Sequence, residues 1–196
     1  MKHDFALLAF GAACVAQWAV PLVSIYVRED AMQRGAVVRV AVGAPDPFDP
    51  LRGRYLQVRP LESEVVLDPE LAHLTSGQKV WVQLQKGPDA LHHLGKVTMQ
   101  KPVSGDYLLM TLRLPRGRSS ASADRASKPS VDWPVDRFFV NEKSAPQADK
   151  WLRERTLGGR TIVAELRVLN GTAVLTDIAV DGRSFRDVLK QPAQSF

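Results

Sequence analysis

TIVAELRVLNGTAVLTDIAV, Thr161 to Val180, sets two runs of alternating apolar and polar residues on either side of Asn170-Gly171. A two-residue loop between antiparallel strands needs positive φ at both of its positions, and Asn-Gly meets that need with little strain. The stretch therefore predicts a β-hairpin with a type I′ turn. The same period of two recurs upstream. Lys79 to Gln85 (KVWVQLQ) puts Val80, Val82 and Leu84 on one face, and Tyr55 to Arg59, Leu94 to Gln100 and Tyr107 to Leu114 read as further strands. Val37 to Val42 (VVRVAV) alternates little but is rich in β-branched residues, as an inner strand would be. Helical signals are few. Ser144 with Gln147 forms a capping box, with Pro146 in the first turn, opening a helix over Ala145 to Arg155 that Gly158-Gly159 ends. Shorter helical pieces are expected at Pro69 to Leu74 and Phe185 to Leu189. The fold class is thus mainly β with one or two short helices, a β-barrel-like or two-sheet domain.

At the other end of the chain, Phe5 to Val27 (FALLAFGAACVAQWAVPLVSIYV) carries no charge. As a helix it would extend ~34 Å, enough for a bilayer core. The start Met-Lys-His-Asp is weakly basic and Val23-Ser24-Ile25-Tyr26 is a poor cleavage site, which argues against a removed signal peptide. Cys14 lies inside the apolar run with Gly11 where a lipid-attachment site usually has leucine, and a buried soluble helix would need a polar face that is missing. The reading is a tail over 1–4, a transmembrane anchor over 5–27, and a single β-rich domain over 28–196. Arg116 to Ser130 (RGRSSASADRASKPS) has no apolar residue larger than alanine and is expected to be a mobile loop within that domain. Orientation cannot be taken from charge: Lys2 stands on one flank, and Arg28 and Arg34 on the other are diluted by Glu29 and Asp30.

With one cysteine, inside the span, the domain has neither a disulfide framework nor a cysteine-based metal site. The net charge is +5, with 26 basic and 21 acidic residues interspersed. No clustered basic face emerges, so nucleic acid is not an expected partner.

Asp46-Pro47-Phe48-Asp49-Pro50-Leu51-Arg52-Gly53-Arg54-Tyr55 places acidic, basic and aromatic groups on one stiff turn entering a strand. Each proline bars helix at the residue before it, and Gly53 permits a positive φ. An echo, Gly105-Asp106-Tyr107, stands at another strand start. The Asp-Pro steps followed by Arg-Gly-x-Tyr-x-x-Val resemble the signature of the GDYXXLXY family of bacterial membrane-associated proteins, with Arg54 where the family has aspartate. Softer similarities run through Leu74 to Gln85, Arg137 to Glu142, and the closing strands with Asp181-Gly182. The resemblance implies a bacterial inner-membrane anchor, N-terminus cytoplasmic, carrying a β-rich periplasmic domain and encoded beside a multi-spanning membrane protein. It implies no known chemistry.

The residues themselves offer few reactive constellations. Asp46, Asp49 and Glu142 could serve a membrane-bound hydrolase, but each Asp-Pro aspartate is better read as an acceptor for turn N–H groups. His92-His93 on a strand would point to opposite faces, and no acidic residue stands beside them at ligand spacing. Ser119, Ser120, Ser122 and Lys128 lie in the loop segment without rigid support. The expected function is a non-catalytic accessory or interaction module for a multi-spanning membrane protein, without cofactor or metal. Asp46, Asp49, Arg52, Gly53, Tyr55, Arg137 and Glu142 are its candidate contact residues. The alternatives are the hydrolase, or a small-molecule or peptide-binding module in a barrel mouth.

Overall fold

In a computed structural model the described residues are 2–43, 55–115, 128–139 and 161–190. The chain begins with one helix, α1 (Lys2–Arg34), and continues as strands β1 (Ala36–Val42), β2 (Tyr55–Gln57), β3 (Lys79–Lys86), β4 (His92–Thr98), β5 (Asp106–Arg113), β6 (Ser130–Asp132), β7 (Arg137–Phe139), β8 (Ile162–Leu169), β9 (Thr172–Val180) and β10 (Arg183–Ser184). A short helix, α2 (Phe185–Lys190), follows. The predicted helix at Pro69 is a single 3-10 turn, Pro69–Leu71. The predicted helix over 145–155 lies outside the described residues.

The strands form two four-stranded antiparallel sheets, ordered β1-β8-β9-β10 and β4-β3-β5-β6, and a small ladder of β2 with β7. The two larger sheets curl over one core as a half-barrel, which bears out the mainly β reading. Alternation decides what goes inside. Val38, Val40 and Val42 of β1, Val80, Val82 and Leu84 of β3, and Leu108, Met110 and Leu112 of β5 are buried. Ile162, Ala164, Leu166 and Val168 of β8 are buried with them.

Two strands break the period. On β9, Leu175 packs on the core and so does Ile178, a step of three. A register shift between Glu165 and Leu166 of β8 absorbs it, because Leu166 pairs Leu175 while Glu165 pairs Asp177. Thr176 is the extra residue, and its hydroxyl donates to the Glu165 carbonyl at 3.1 Å. On β4 the step from Leu94 to Val97 is absorbed in the same way opposite Val82 and Leu84 of β3. Both are β-bulges, which bend a strand and raise its twist, as a curled sheet requires.

The predicted hairpin is present. Asn170 and Gly171 have φ of 52° and 85°, between β8 and β9. Its tip joins the sheets: Leu109 N–H donates to the Gly171 carbonyl at 3.1 Å, and Leu108 and Gly171 form an isolated bridge. The Trp81 ring covers Gly171 so closely that a Cβ there would lie 2.3 Å from a ring carbon. Trp81 in turn meets Tyr107 edge to face at 5.5 Å.

Contrary to the expectation of an inner strand, β1 ends its sheet. Its outer side is met by a short connector: Gly43 N–H donates to Arg59 C=O at 2.8 Å and Leu61 N–H to Ala41 C=O at 3.0 Å. Further along, Val65 N–H donates to Pro129 C=O and Val131 N–H to Ser63 C=O, so the connector also reaches β6. Lys128 to Ser130, the end of the segment expected to be mobile, is tied down here, and Lys128 pairs with Glu64 at 3.2 Å. Residues 116–127 lie outside the described residues.

α1 is apolar all round through the predicted span, with a window of mean hydropathy 1.6, none of it buried, as suits a membrane crossing. The helix does not stop at Val27 where charge begins. It runs on to Arg34, with Gln33 bonded to Glu29 and Arg34 paired with Asp30, each one turn apart. Ala31 is fully buried where the helix meets β8 and β9. Only Gly35 separates α1 from β1; its N–H closes on the Ala31 carbonyl at 2.9 Å and its carbonyl takes Arg167 Nη1 at 3.0 Å.

Two substitutions test these joints. Gly171→Ala combines a positive φ with a collision against Trp81 and should cost about 1–3 kcal/mol. Thermal unfolding of the detergent-solubilised chain should fall by about 2–4 °C per kcal/mol. At Gly35 a Cβ would stand 2.3 Å from the Ala31 carbonyl oxygen and 2.9 Å from Val168 N, both backbone atoms. Gly35→Ala should therefore open the joint, read as new tryptic cleavage after Arg34.

Candidate functional site

The connector that covers β1 also floors a cleft. Pro60 to Glu64 form its base, Val40 and Ala41 of β1 one wall, His92 and His93 of β4 the other, and Trp133 closes one side. Its volume is about 390 Å³, within the range of small-ligand sites. Trp133 fixes the floor by donating its indole N–H to the Glu62 carbonyl at 2.8 Å.

The two histidines take opposite roles. His92 accepts, receiving the Arg39 N–H on Nδ1 at 3.2 Å. His93 sits between two carboxylates, with Nδ1 3.2 Å from Glu62 and Nε2 3.4 Å from Asp89. A neutral imidazole has one N–H and can donate to only one of them, leaving a lone pair facing the other, whereas imidazolium donates to both. Asp89, and then Glu62, accordingly hold His93 above its ordinary range against some loss of hydration. Asp89 is held below the ordinary carboxylate range, first by the Leu91 N–H at 3.1 Å and then by His93. The turn is shaped by Ala90 at φ 63° and by the Gly87 N–H bond to Leu91 C=O.

These positions correct the reading of the histidine pair. Carboxylates do stand beside it, one brought by the connector and one folded back by the turn. Both rings line one cleft, because the start of β4 lies at the sheet's margin. Among the described residues no three histidine, cysteine or carboxylate side chains gather as a metal site. Ser63 also lines the cleft, yet no hydrogen bond joins its hydroxyl to either imidazole, and both nitrogens of His93 already face carboxylates.

Of the candidates read from sequence, Asp46, Asp49, Arg52, Gly53 and Glu142 lie outside the described residues. Tyr55 opens β2 and Arg137 opens β7, and the ladder sets Gln57 opposite Arg137 and Tyr55 opposite Phe139. The motif strand and Arg137 are thus brought together. Val58 N–H donates to Asp136 C=O at 2.8 Å, and buried Phe138 meets Phe185 of α2 edge to face at 5.8 Å. The strand then leads directly into the cleft floor at Pro60.

Sequence reading missed the floor residues Glu62 and Glu64, which carry no motif. It also missed Asp177, whose carboxylate accepts from the Ser184 hydroxyl and from Arg186 N–H at 3.3 Å, fastening α2 to β9. Ser184 followed three residues later by Asp187 was the available signal.

A β-rich half-barrel behind one apolar helix, with the motif strand feeding a cleft between its sheets, is the class that this geometry defines. The family model described as GDYXXLXY protein matches residues 17–178, and the chain belongs to that family. No curated protein and no solved structure matches it.

The contact between His93 and its carboxylates is directly testable. Because its folded pKa is raised, the stabilisation is fully present below the unfolded value near 6.5 and is lost as pH rises through the folded value. An NMR titration of His93 should give a midpoint above ~6.5 that falls back in the Glu62→Gln/Asp89→Asn double variant. A midpoint unchanged by both substitutions would refute the assignment.

Proposed function

We propose that this chain is a single-pass protein of the bacterial inner membrane, with its N-terminus in the cytoplasm and its β-rich domain in the periplasm. The domain acts as a non-catalytic accessory module for a multi-spanning membrane protein. The observation that carries this reading is the joint at Gly35: α1 passes from its apolar stretch into the domain without a linker, and Ala31 is buried against the sheet. Four helical residues lead from Val27 to the buried Ala31, which would hold the domain about 6 Å beyond the end of the uncharged run. A free-standing binding domain gains nothing from so stiff a tether. A partner in the same bilayer does, because a fixed pose removes the orientational search and raises effective concentration. The side of the membrane rests on the family likeness, since the flanking charges do not decide it.

Arg52 and Tyr55 are the residue types that anchor interfaces, and Tyr55 opens the ladder that holds Arg137. Co-purification from native membranes in mild detergent tests the reading, comparing the intact chain with Arg52→Ala/Tyr55→Ala. A multi-spanning protein should be recovered in stoichiometric amount with the intact chain and lost with the variant. Equal recovery would remove Arg52 and Tyr55 from the contact. No partner with either would overturn the accessory role.

A further inference from the structure

The uncharged run of α1 holds one carboxamide. Gln17 stands twelve residues after Phe5 and ten before Val27. At ~1.5 Å per residue that is about 15 Å or more from either end, farther than its side chain can reach. Under the single-pass reading proposed above, on which this inference rests, Gln17 therefore lies near the middle of the bilayer core. Its side chain is exposed and takes no hydrogen bond from the described residues. The main chain is short of a donor at the same place. The carbonyl of Gln17 would ordinarily receive the N–H of residue 21, and Pro21 has none. Ser24, by contrast, is served within the helix, donating its hydroxyl to the Val20 carbonyl at 2.9 Å. Carboxamide donor, carboxamide acceptor and main-chain acceptor are thus left together at residue 17. In hydrocarbon no water can serve them, and leaving them unpaired is costly. Lipid tails cannot hydrogen-bond to them; a polar side chain on another helix can.

The placement of the domain decides between a second copy and a different chain. Ser24 and Ala31 follow Gln17 at steps of seven residues, close to two turns each, with a drift of about 20° per step. The three therefore lie along one side of α1, and on that side Ala31 is fully buried where the helix meets β8 and β9. The Gln17 side is thus continuous with the side already docked on the sheet, and whatever packs on Gln17 stands beneath the half-barrel. A parallel copy of this chain would have to carry its own helix on through Arg34 and into its own domain, through space that the first sheet fills. A transmembrane segment that ends at the bilayer surface meets no such obstacle. Close approach is open to it, because Ala13, Cys14 and Pro21 beside Gln17 are compact, while Val15, Leu22 and Tyr26 turn to the other side. We propose that the Gln17 side of α1 is the contact with a transmembrane segment of a different polypeptide, which sets a hydroxyl or carboxamide side chain against the Gln17 carboxamide and main-chain carbonyl, beneath the domain.

The experiment uses the full chain in its native membranes, with the photoreactive residue p-benzoylphenylalanine in place of Ser24 on the Gln17 side or of Leu22 on the other. Irradiation should give an adduct from position 24 and at least threefold less from position 22. The adduct should not have the mass of two copies of the chain. Peptide mapping should place the cross-link in an uncharged run of about 20 residues that carries a hydroxyl or carboxamide. Gln17→Leu should lower the yield roughly threefold to tenfold, as the loss of an interhelical hydrogen bond would, and Gln17→Asn should restore most of it. An adduct of two copies, equal yields from both positions, no adduct, or a yield unmoved by Gln17→Leu would each overturn the proposal. Two further measurements separate its failure from that of the reading beneath it. Release of the chain by alkaline carbonate would refute the membrane span and this contact together. A stoichiometric partner recovered equally with Gln17→Leu would leave the accessory role standing and this contact refuted.

Discussion

The contact of the Trp81 ring with the bare backbone of Gly171 is the constraint on which the two-sheet arrangement depends. The hairpin tip belongs to one sheet and the indole to the other, and they can meet only because position 171 has no side chain. Once they meet, Leu109 finds the Gly171 carbonyl, Tyr107 closes on Trp81, and Lys101 reaches both the Tyr107 ring and the Asn170 side chain. The core then fills from both sides with aliphatic residues, and no polar or charged residue is among the buried ones described. Each sheet alone would leave one apolar face to water, so the docking of a single turn is linked to the burial of the whole core.

The opposite margin is built differently. Where β1 and β4 approach each other, the chain inserts an irregular connector that serves β1 with two hydrogen bonds and then turns to serve β6. Carboxylates, imidazoles and an indole collect there because irregular backbone at a sheet margin can host polar side chains without burying them. His93 illustrates the point: half exposed, it holds two carboxylates without entering the core. Surface pairs of this kind contribute little to stability. Their effect is local, fixing the orientation of the connector's acidic residues at the mouth of the cleft.

Strands with strict alternation were legible in the residues. Val80, Val82 and Leu84, or Ile162 to Val168, admit only one inward face, and Asn170-Gly171 names its own turn. The apolar helix was legible for the same reason, since an uncharged run without a polar face has few alternatives. The bulges were not, although the three-residue steps from Leu94 to Val97 and Leu175 to Ile178 contain their signal. A break in period reads equally well as a strand end until the partner strand is known. The cleft was hidden altogether, because Glu62, Asp89 and His93 meet through a turn and a connector whose paths depend on tertiary hydrogen bonds. The edge position of β1 was hidden too: β-branched composition reports burial of side chains and says nothing of which hydrogen-bonding edge is covered.

The direct passage from α1 to β1 also sets a rule for the length of the chain between the apolar run and the domain. Ala31 is locked against the sheet, so the helix cannot rotate relative to the domain. Each residue added or removed between Val27 and Asp30 would turn the apolar surface of α1 by about 100° with respect to the cleft. Sequences of this architecture can therefore vary there only in near-whole turns, by three or four residues or by seven, if the same side of the helix is to face the same neighbour. The joint acts as a phase marker, coupling the direction in which the apolar surface of α1 faces to the direction in which the half-barrel faces.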